Sequence, residues 1–181
     1  WNYYLDLWQH PAAVARIEGL DMWSDAHFEP LLPYMQLFAH AGQKVVTTTL
    51  NKDPWNNQCF DSYADMIIWT KKADGSWSYD YTVFDRWVEL MMDLGIDHTI
   101  NCYSMLPWNN ELHYRDDVTG CFADVTADPG TPAFEELWVP FLTDFTGHLR
   151  EKGWLGRTNI AMDERSPEEM TDALDLLRDR K

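Results

Sequence analysis

Basic residues are scarce in this chain of 181 residues: 14 Lys and Arg stand against 30 Asp and Glu, a formal net charge of −16. No Lys/Arg-rich stretch interrupts the acidity. That argues against a nucleic-acid partner and against docking on anionic lipid, and it leaves neutral or cationic ligands. No apolar run reaches the roughly 20 residues of a membrane-spanning helix, and no signal peptide is visible. Cysteine is limited to Cys59, Cys102 and Cys121, without CxxC or Cys/His ligand spacing. Cys102 falls in strand-like sequence and reads as a small core residue. A Cys59–Cys121 disulfide stays open. HxH and HExxH spacings are missing, so a zinc site would have to join His10 to two of Asp6, His113 and Asp163; no metal is expected. Walker and dinucleotide glycine signatures are also missing, and no cofactor is expected.

What is present is aromatic. Phe, Trp and Tyr make up 14% of the chain, ten of them Trp, in a composition that is 45% hydrophobic and 24% charged. That balance is globular, and the length suits one domain, residues 1–181, with a substantial core. Several Trp must serve the core. The surplus beside polar loops suits stacking on flat ligands such as sugar rings. The chain opens on Trp1-Asn2-Tyr3-Tyr4, without Met and already strand-like, and is expected to be a piece of a longer protein.

The pattern along the chain is strand, loop, helix, four times over. Tyr3 to Trp8 predicts the first strand. Ser24 can cap a helix carrying Phe28, Leu31, Leu32, Met35, Phe38 and Ala39 at helical spacing, stopped by Gly42. Lys44 to Leu50, rich in β-branched residues, predicts the second strand. Tyr81 to Leu94 predicts the second helix and His98 to Tyr103 the third strand. Thr131-Pro132 opens the third helix, which Pro140 should kink or interrupt. Asn159 to Met162 predicts the fourth strand and Ser166 to Arg178 the fourth helix.

Alternating βα units with near-continuous apolar strands mean an α/β fold on a parallel sheet. The loops after strands two and three are long, and each predicts a hairpin insertion: Met66–Thr70 with Trp77–Tyr81, and Leu112–Arg115 with Cys121–Val125. Long loops on the carboxyl side and short ones on the other are the habit of a (β/α)8 TIM barrel, and four units make about the first half of one. A small, open doubly wound domain is the alternative.

The strand ends collect polar and aromatic residues. Gln9 and His10 follow strand one, with Asp6 and Trp8 before them. Asn51, Lys52, Asp53, Trp55 and Asn56 follow strand two. Asn101, Tyr103 and Ser104, then Trp108, Asn109 and Asn110, stand at strand three. At strand four stand Asp163 and Glu164, between the apolar run Asn159-Ile-Ala-Met162 and Arg165-Ser166-Pro167-Glu168-Glu169. Carboxylates, amides and aromatic faces with little positive charge suit a carbohydrate subsite. Ser166 and Glu169 form a capping box with Pro167 at the first helical position. The acid pair is therefore not needed to cap the helix. Adjacent carboxylates at a partly buried site repel, and one tends to keep its proton, as a general acid must.

Five segments carry a resemblance: Leu5-Asp-Leu-Trp-Gln-His-Pro11, Gly42-Gln-Lys-Val-Val-Thr-Thr-Thr49, Trp77-Ser-Tyr-Asp-Tyr-Thr-Val-Phe84, Ile100-Asn-Cys-Tyr-Ser-Met105 and Ile160-Ala-Met-Asp-Glu-Arg165. Over nearly its whole length the chain resembles the catalytic domain of glycoside hydrolase family 123, bacterial β-N-acetylgalactosaminidases often described as DUF4091 proteins. The resemblance implies a (β/α)8 barrel and a retaining mechanism in which the substrate's own 2-acetamido group attacks, an exception to the two-carboxylate scheme. It implies that Asp163 orients the acetamido N–H and that Glu164 is the acid/base. Asn101, Tyr103 and Trp108, with His10, Asn51, Trp55 and Asn109, are the expected substrate contacts. The implied partner is a GalNAc-containing glycan or glycolipid. The implied location is secreted, periplasmic or on a bacterial cell surface.

The same resemblance implies that the later strands and their share of the pocket lie outside this chain, so that the chain alone is expected to be inactive. Two other functions stay open. One is a domain that binds sugar without cutting it. The other is a conventional two-carboxylate glycosidase, which for retention needs a second acid at about 5–5.5 Å, with Asp6 and Asp53 as donors.

Overall fold

The computed structural model describes residues 3–178; Trp1 and Asn2, strand-like by sequence, lie outside that range. Pro11–Glu18 forms α1 and Asp25–Ala41 forms α2, followed by β1 (Val45–Thr49). A hairpin, β2 (Ile68–Lys71) and β3 (Trp77–Asp80), separates β1 from α3 (Thr82–Asp93) and β4 (Thr99–Tyr103). A second hairpin, β5 (Glu111–Asp116) and β6 (Phe122–Thr126), precedes α4 (Pro132–Glu151), β7 (Thr158–Ala161) and α5 (Pro167–Arg178).

The fold is α/β, with two open sheets. The first has the order β1-β4-β7, all parallel, with Thr47 beside Asn101 and Asn101 beside Asn159. The α3 stripe Phe84, Trp87, Val88 and Met91 is fully buried, as its helical spacing requires, and the Trp87 indole donates to the Thr47 carbonyl. The two predicted hairpins are present, and they join by a parallel pairing of β2 with β5 into one sheet of order β3-β2-β5-β6. Side chains of α4 cover one face of it, Trp69 stacking on Phe141 at 4.3 Å.

Two expectations are corrected, and one open point is closed. The first strand, Tyr3 to Trp8, shrinks to one parallel bridge between Leu5 and Gln43, because two buried glutamines stand where a backbone ladder would run. Gln43 accepts from the Leu7 N–H at 2.9 Å and donates to the Leu7 and Val45 carbonyls at 3.0 and 2.7 Å. Gln9 accepts from the Thr47 N–H at 2.8 Å and donates to the Val45 carbonyl at 3.2 Å. Pro140 does not interrupt α4, which runs unbroken for 20 residues. Losing one backbone bond there costs about 3 kcal/mol, and seven buried side chains along the inner face, from Phe134 to Leu149, outweigh it. Finally, Cys59 and Cys121 are free thiols; Cys102 is free and buried.

Candidate active site

Parallel pairing sends the ends of the Leu5–Gln9 segment, β1, β4 and β7 to one carboxyl edge. Trp55, on the loop after β1, is the centre of what gathers there. Its ring is only 2% exposed and lies 4.9 Å from Trp8, 5.0 Å from Tyr63 and 5.1 Å from Tyr103, centroid to centroid. Its indole Nε1 donates to Asp163 Oδ2 at 3.1 Å. Asp163 is half-buried and Glu164 exposed, so the acid pair divides between an anchored member and one facing solvent. Glu164 takes φ +49°, a left-handed conformation uncommon outside glycine and often found at functional sites. The capping box forms below it: the Ser166 N–H donates to Glu169 Oε2 at 3.1 Å, and the Glu169 N–H to Ser166 Oγ at 3.3 Å.

Tyr103, buried at the end of β4, borders both Trp8 and Trp55. Burial, with the charges of Asp6 and Asp163, pushes its hydroxyl up from the usual tyrosine range despite a hydrogen bond from Trp8. It remains an O–H donor at neutral pH. Asn101 lies on the same strand face and donates to Asp6 Oδ2 at 3.3 Å. Burial raises the Asp6 carboxyl, with the Asn101 bond opposing.

The other expected contacts are less free. His10 precedes α1, its ring 5.4 Å from Tyr63. Asn51 is buried and clamps β5: its amide donates to the His113 carbonyl and accepts from the His113 N–H, both at 2.9 Å. Trp108 is half-buried against the core. Asn109 is exposed, with φ +61°. Asp53 spends its two oxygens on the N–H groups of Trp55 and Asn57, at 3.2 and 2.8 Å, bracing the loop that carries Trp55. His113 lies against Asp65 at 2.9 Å, and among the described residues no three His, Cys, Asp or Glu side chains are placed to hold a metal ion. Beside Trp55 opens a polar cleft of about 450 Å³ lined by Lys52, Asp53, Asn56, Tyr63, Glu111 and His113.

Two site residues escape the sequence pattern. Tyr63 closes the cluster from an irregular loop, its hydroxyl donating to the Gln9 carbonyl. Arg165 donates to the Leu106 and Pro107 carbonyls and to Asn110 Oδ1, tying the loop after β4 to the acid pair. Its position next to Glu164 was the one signal for it.

The acid pair stands at the carboxyl edge of a parallel sheet, beside an aromatic wall, in an α/β domain of the glycoside hydrolase class. The model of the glycoside hydrolase 123 catalytic domain matches residues 8–181. A solved family 123 glycoside hydrolase from Clostridium perfringens, described for glycolipid glycan hydrolysis, is similar at 37% identity and a TM-score of 0.88, over 93% of this chain and 30% of that one. No curated protein matches. The chain belongs to the catalytic domain of glycoside hydrolase family 123, and it spans about a third of the solved relative's length.

Proposed function

We propose that the protein carrying this domain removes terminal β-linked N-acetylhexosamine, GalNAc in preference, by a retaining, substrate-assisted mechanism. The observation that carries the proposal is the Trp55–Asp163 hydrogen bond. It fixes one carboxylate oxygen and leaves the other to accept the N–H of a 2-acetamido group. So oriented, the acetamido oxygen attacks the anomeric carbon while Glu164 gives its proton to the glycosidic oxygen and that C–O bond breaks. The product of this step is an oxazolinium ion whose N–H Asp163 holds. Water then adds to the anomeric carbon as its bond to the acetamido oxygen breaks, Glu164 takes a proton from the water, and the two displacements restore the starting configuration. Tyr103, which keeps its proton, is the donor for the acetamido oxygen. Asn101 and the Trp108 face serve the sugar ring. The glycan is one such as a glycolipid headgroup, the substrate class of the Clostridium perfringens relative.

We further propose that the three parallel strands and the Leu5–Gln9 segment form about the first half of a (β/α)8 barrel. Their spatial order follows chain order, as sequential barrel strands do. The assay therefore belongs to the full-length protein. It is expected to cleave an aryl β-N-acetylgalactosaminide and to be inhibited by a thiazoline mimic of the oxazolinium. Glu164→Gln is expected to abolish turnover of substrates with poor leaving groups. A thiazoline without effect, together with a fluorosugar that traps a covalent adduct, overturns substrate assistance. Sugar binding with no turnover of GalNAc or GlcNAc glycosides makes the domain a binding module.

A further inference from the structure

A cavity of about 590 Å³ opens between the inserted sheet and α4, and it shares no lining residue with the acid-pair site. Strand alternation explains it. Trp69 and Lys71 share one face of β2, and β3 pairs Tyr79 with Trp69 and Trp77 with Lys71. Under α4, Trp69 and Tyr79 are covered by Phe141, at 4.3 and 5.2 Å. One pair nearer the hairpin tip that cover ends. Lys71 and Trp77, with Tyr114 from β5, are left facing the start of α4 across the gap.

The chemistry of the lining is specific. Trp77 and Tyr114 are half-buried and meet edge to face, centroids 5.2 Å apart at 83°. Lys71 Nζ stands 5.8 and 5.7 Å from the two ring centroids. Glu136 and Ser76 lie at the same cavity. Among the described residues neither Lys71 nor Glu136 has an ion-pair partner. An anion would meet Glu136 in a protein of net charge −16; a cation would meet Lys71. A neutral polyol with an apolar ring face uses the whole set: the ring on an aromatic face, its hydroxyls on the ammonium, the carboxylate and the serine.

We propose that this cavity is a second carbohydrate-binding site, which stacks a pyranose of a neutral oligosaccharide on Trp77 while Lys71 and Glu136 hold its hydroxyls. The proposal rests on the chemistry of this cavity and on family membership, and does not need the N-acetylhexosaminidase mechanism. The site would hold one part of a branched or clustered glycan while another part is cut.

The test titrates the full-length protein with a neutral oligosaccharide ending in β-linked GalNAc, its glycosidic oxygen replaced by sulfur to stop turnover. The Trp77 indole N–H resonance, assigned by its loss in Trp77→Phe, is the readout. It is expected to shift saturably, and to do so equally in Asp163→Asn. Ala133→Trp, which fills the cavity from the exposed first turn of α4, is expected to weaken that event about tenfold, the loss of a ring contact, while hydrolysis of a small aryl glycoside is unchanged. A resonance that stays still through the millimolar range, or one whose shift survives Ala133→Trp at full affinity, overturns the proposal.

Discussion

One indole hydrogen bond orients Asp163, and its donor is buried among three other aromatic rings. Trp55→Phe keeps an aromatic ring in the cluster and removes that donor together with the second ring of the indole. On the proposed mechanism, a carboxylate that is free to rotate no longer holds the acetamido group in line. The loss in kcat/KM is expected to be about 10- to 100-fold, with an unchanged fold by circular dichroism. Unchanged kinetics would mean that Asp163 needs no such anchor. His27 offers a residue-scale test of stability. It is fully buried, accepts from the Trp23 N–H through Nδ1 at 3.1 Å and lies 3.0 Å from the Pro11 carbonyl through Nε2. Those partners select the neutral Nε2–H tautomer. Burial pushes its pKa below the usual value, and the Pro11 bond opposes only in part. The unfolded chain therefore binds a proton that the folded imidazole refuses. Stability from this group is complete above the ordinary value of about 6.5 and is lost as the pH falls below it through the lower pKa of the folded imidazole. Nitrogen-resolved NMR at about pH 6 should find His27 neutral, with Nδ1 unprotonated. The acid pair was legible at this scale because its members are adjacent between a strand and a capping box. Trp55 and Asp163 lie 108 positions apart, and no local pattern reports a bond of that span. Nor does composition show that Asn51 bonds the His113 backbone and Asp53 the backbone N–H groups of Trp55 and Asn57.

Elements whose signal is local came through in the sequence. The Ser24 cap and the Gly42 stop of α2, the Thr131-Pro132 opening of α4 and the Ser166–Glu169 box of α5 all stand where their residues predict. Three features did not come through. The short helix α1 has no side-chain cap, and only Pro11 at its first turn and Gly19 at its stop marked it. The first strand has strand-like residues, yet Gln9 and Gln43 take over its hydrogen bonds, and an interposed side chain leaves no periodicity to read. That substitution makes a prediction at the scale of the element. Gln43→Leu is close in size but leaves the Leu7 N–H without this partner, and takes one of two from the Leu7 and Val45 carbonyls, both of which Gln9 also bonds. Each buried polar group left unpaired costs about 1–3 kcal/mol. Denaturant unfolding should show a loss of about 2 kcal/mol. A loss under about 1 kcal/mol would mean that water or a backbone ladder replaces the glutamine. The union of the two hairpins is a third case. Each hairpin was legible from its turn, but the parallel pairing of Thr70 with Arg115 that joins them links segments far apart in the chain.

The charge of the whole molecule sets the last expectation. With 30 acids and 14 bases, two of the lysines are each shared between two carboxylates. Lys52 lies 2.7 Å from Glu111 and 3.1 Å from Asp124, and Lys152 lies 2.8 Å from Asp85 and 2.9 Å from Glu89. Salt weakens these attractions and the repulsion among the surplus acids together, so the sign of its effect reports which is larger. Exposed pairs contribute about 0–1 kcal/mol each, and a doubly shared base adds little beyond that. The repulsion is summed over the whole surface and works against the compact state. From about 0.01 M to about 0.3 M sodium chloride the screening length falls from about 30 Å to below about 10 Å, which removes long-range repulsion before it removes contacts near 3 Å. The melting temperature at neutral pH is therefore expected to rise over that range. Lys52→Met, which releases two carboxylates from one base, should steepen the rise. A melting temperature that falls with salt would mean that the shared ion pairs outweigh the acidic surplus.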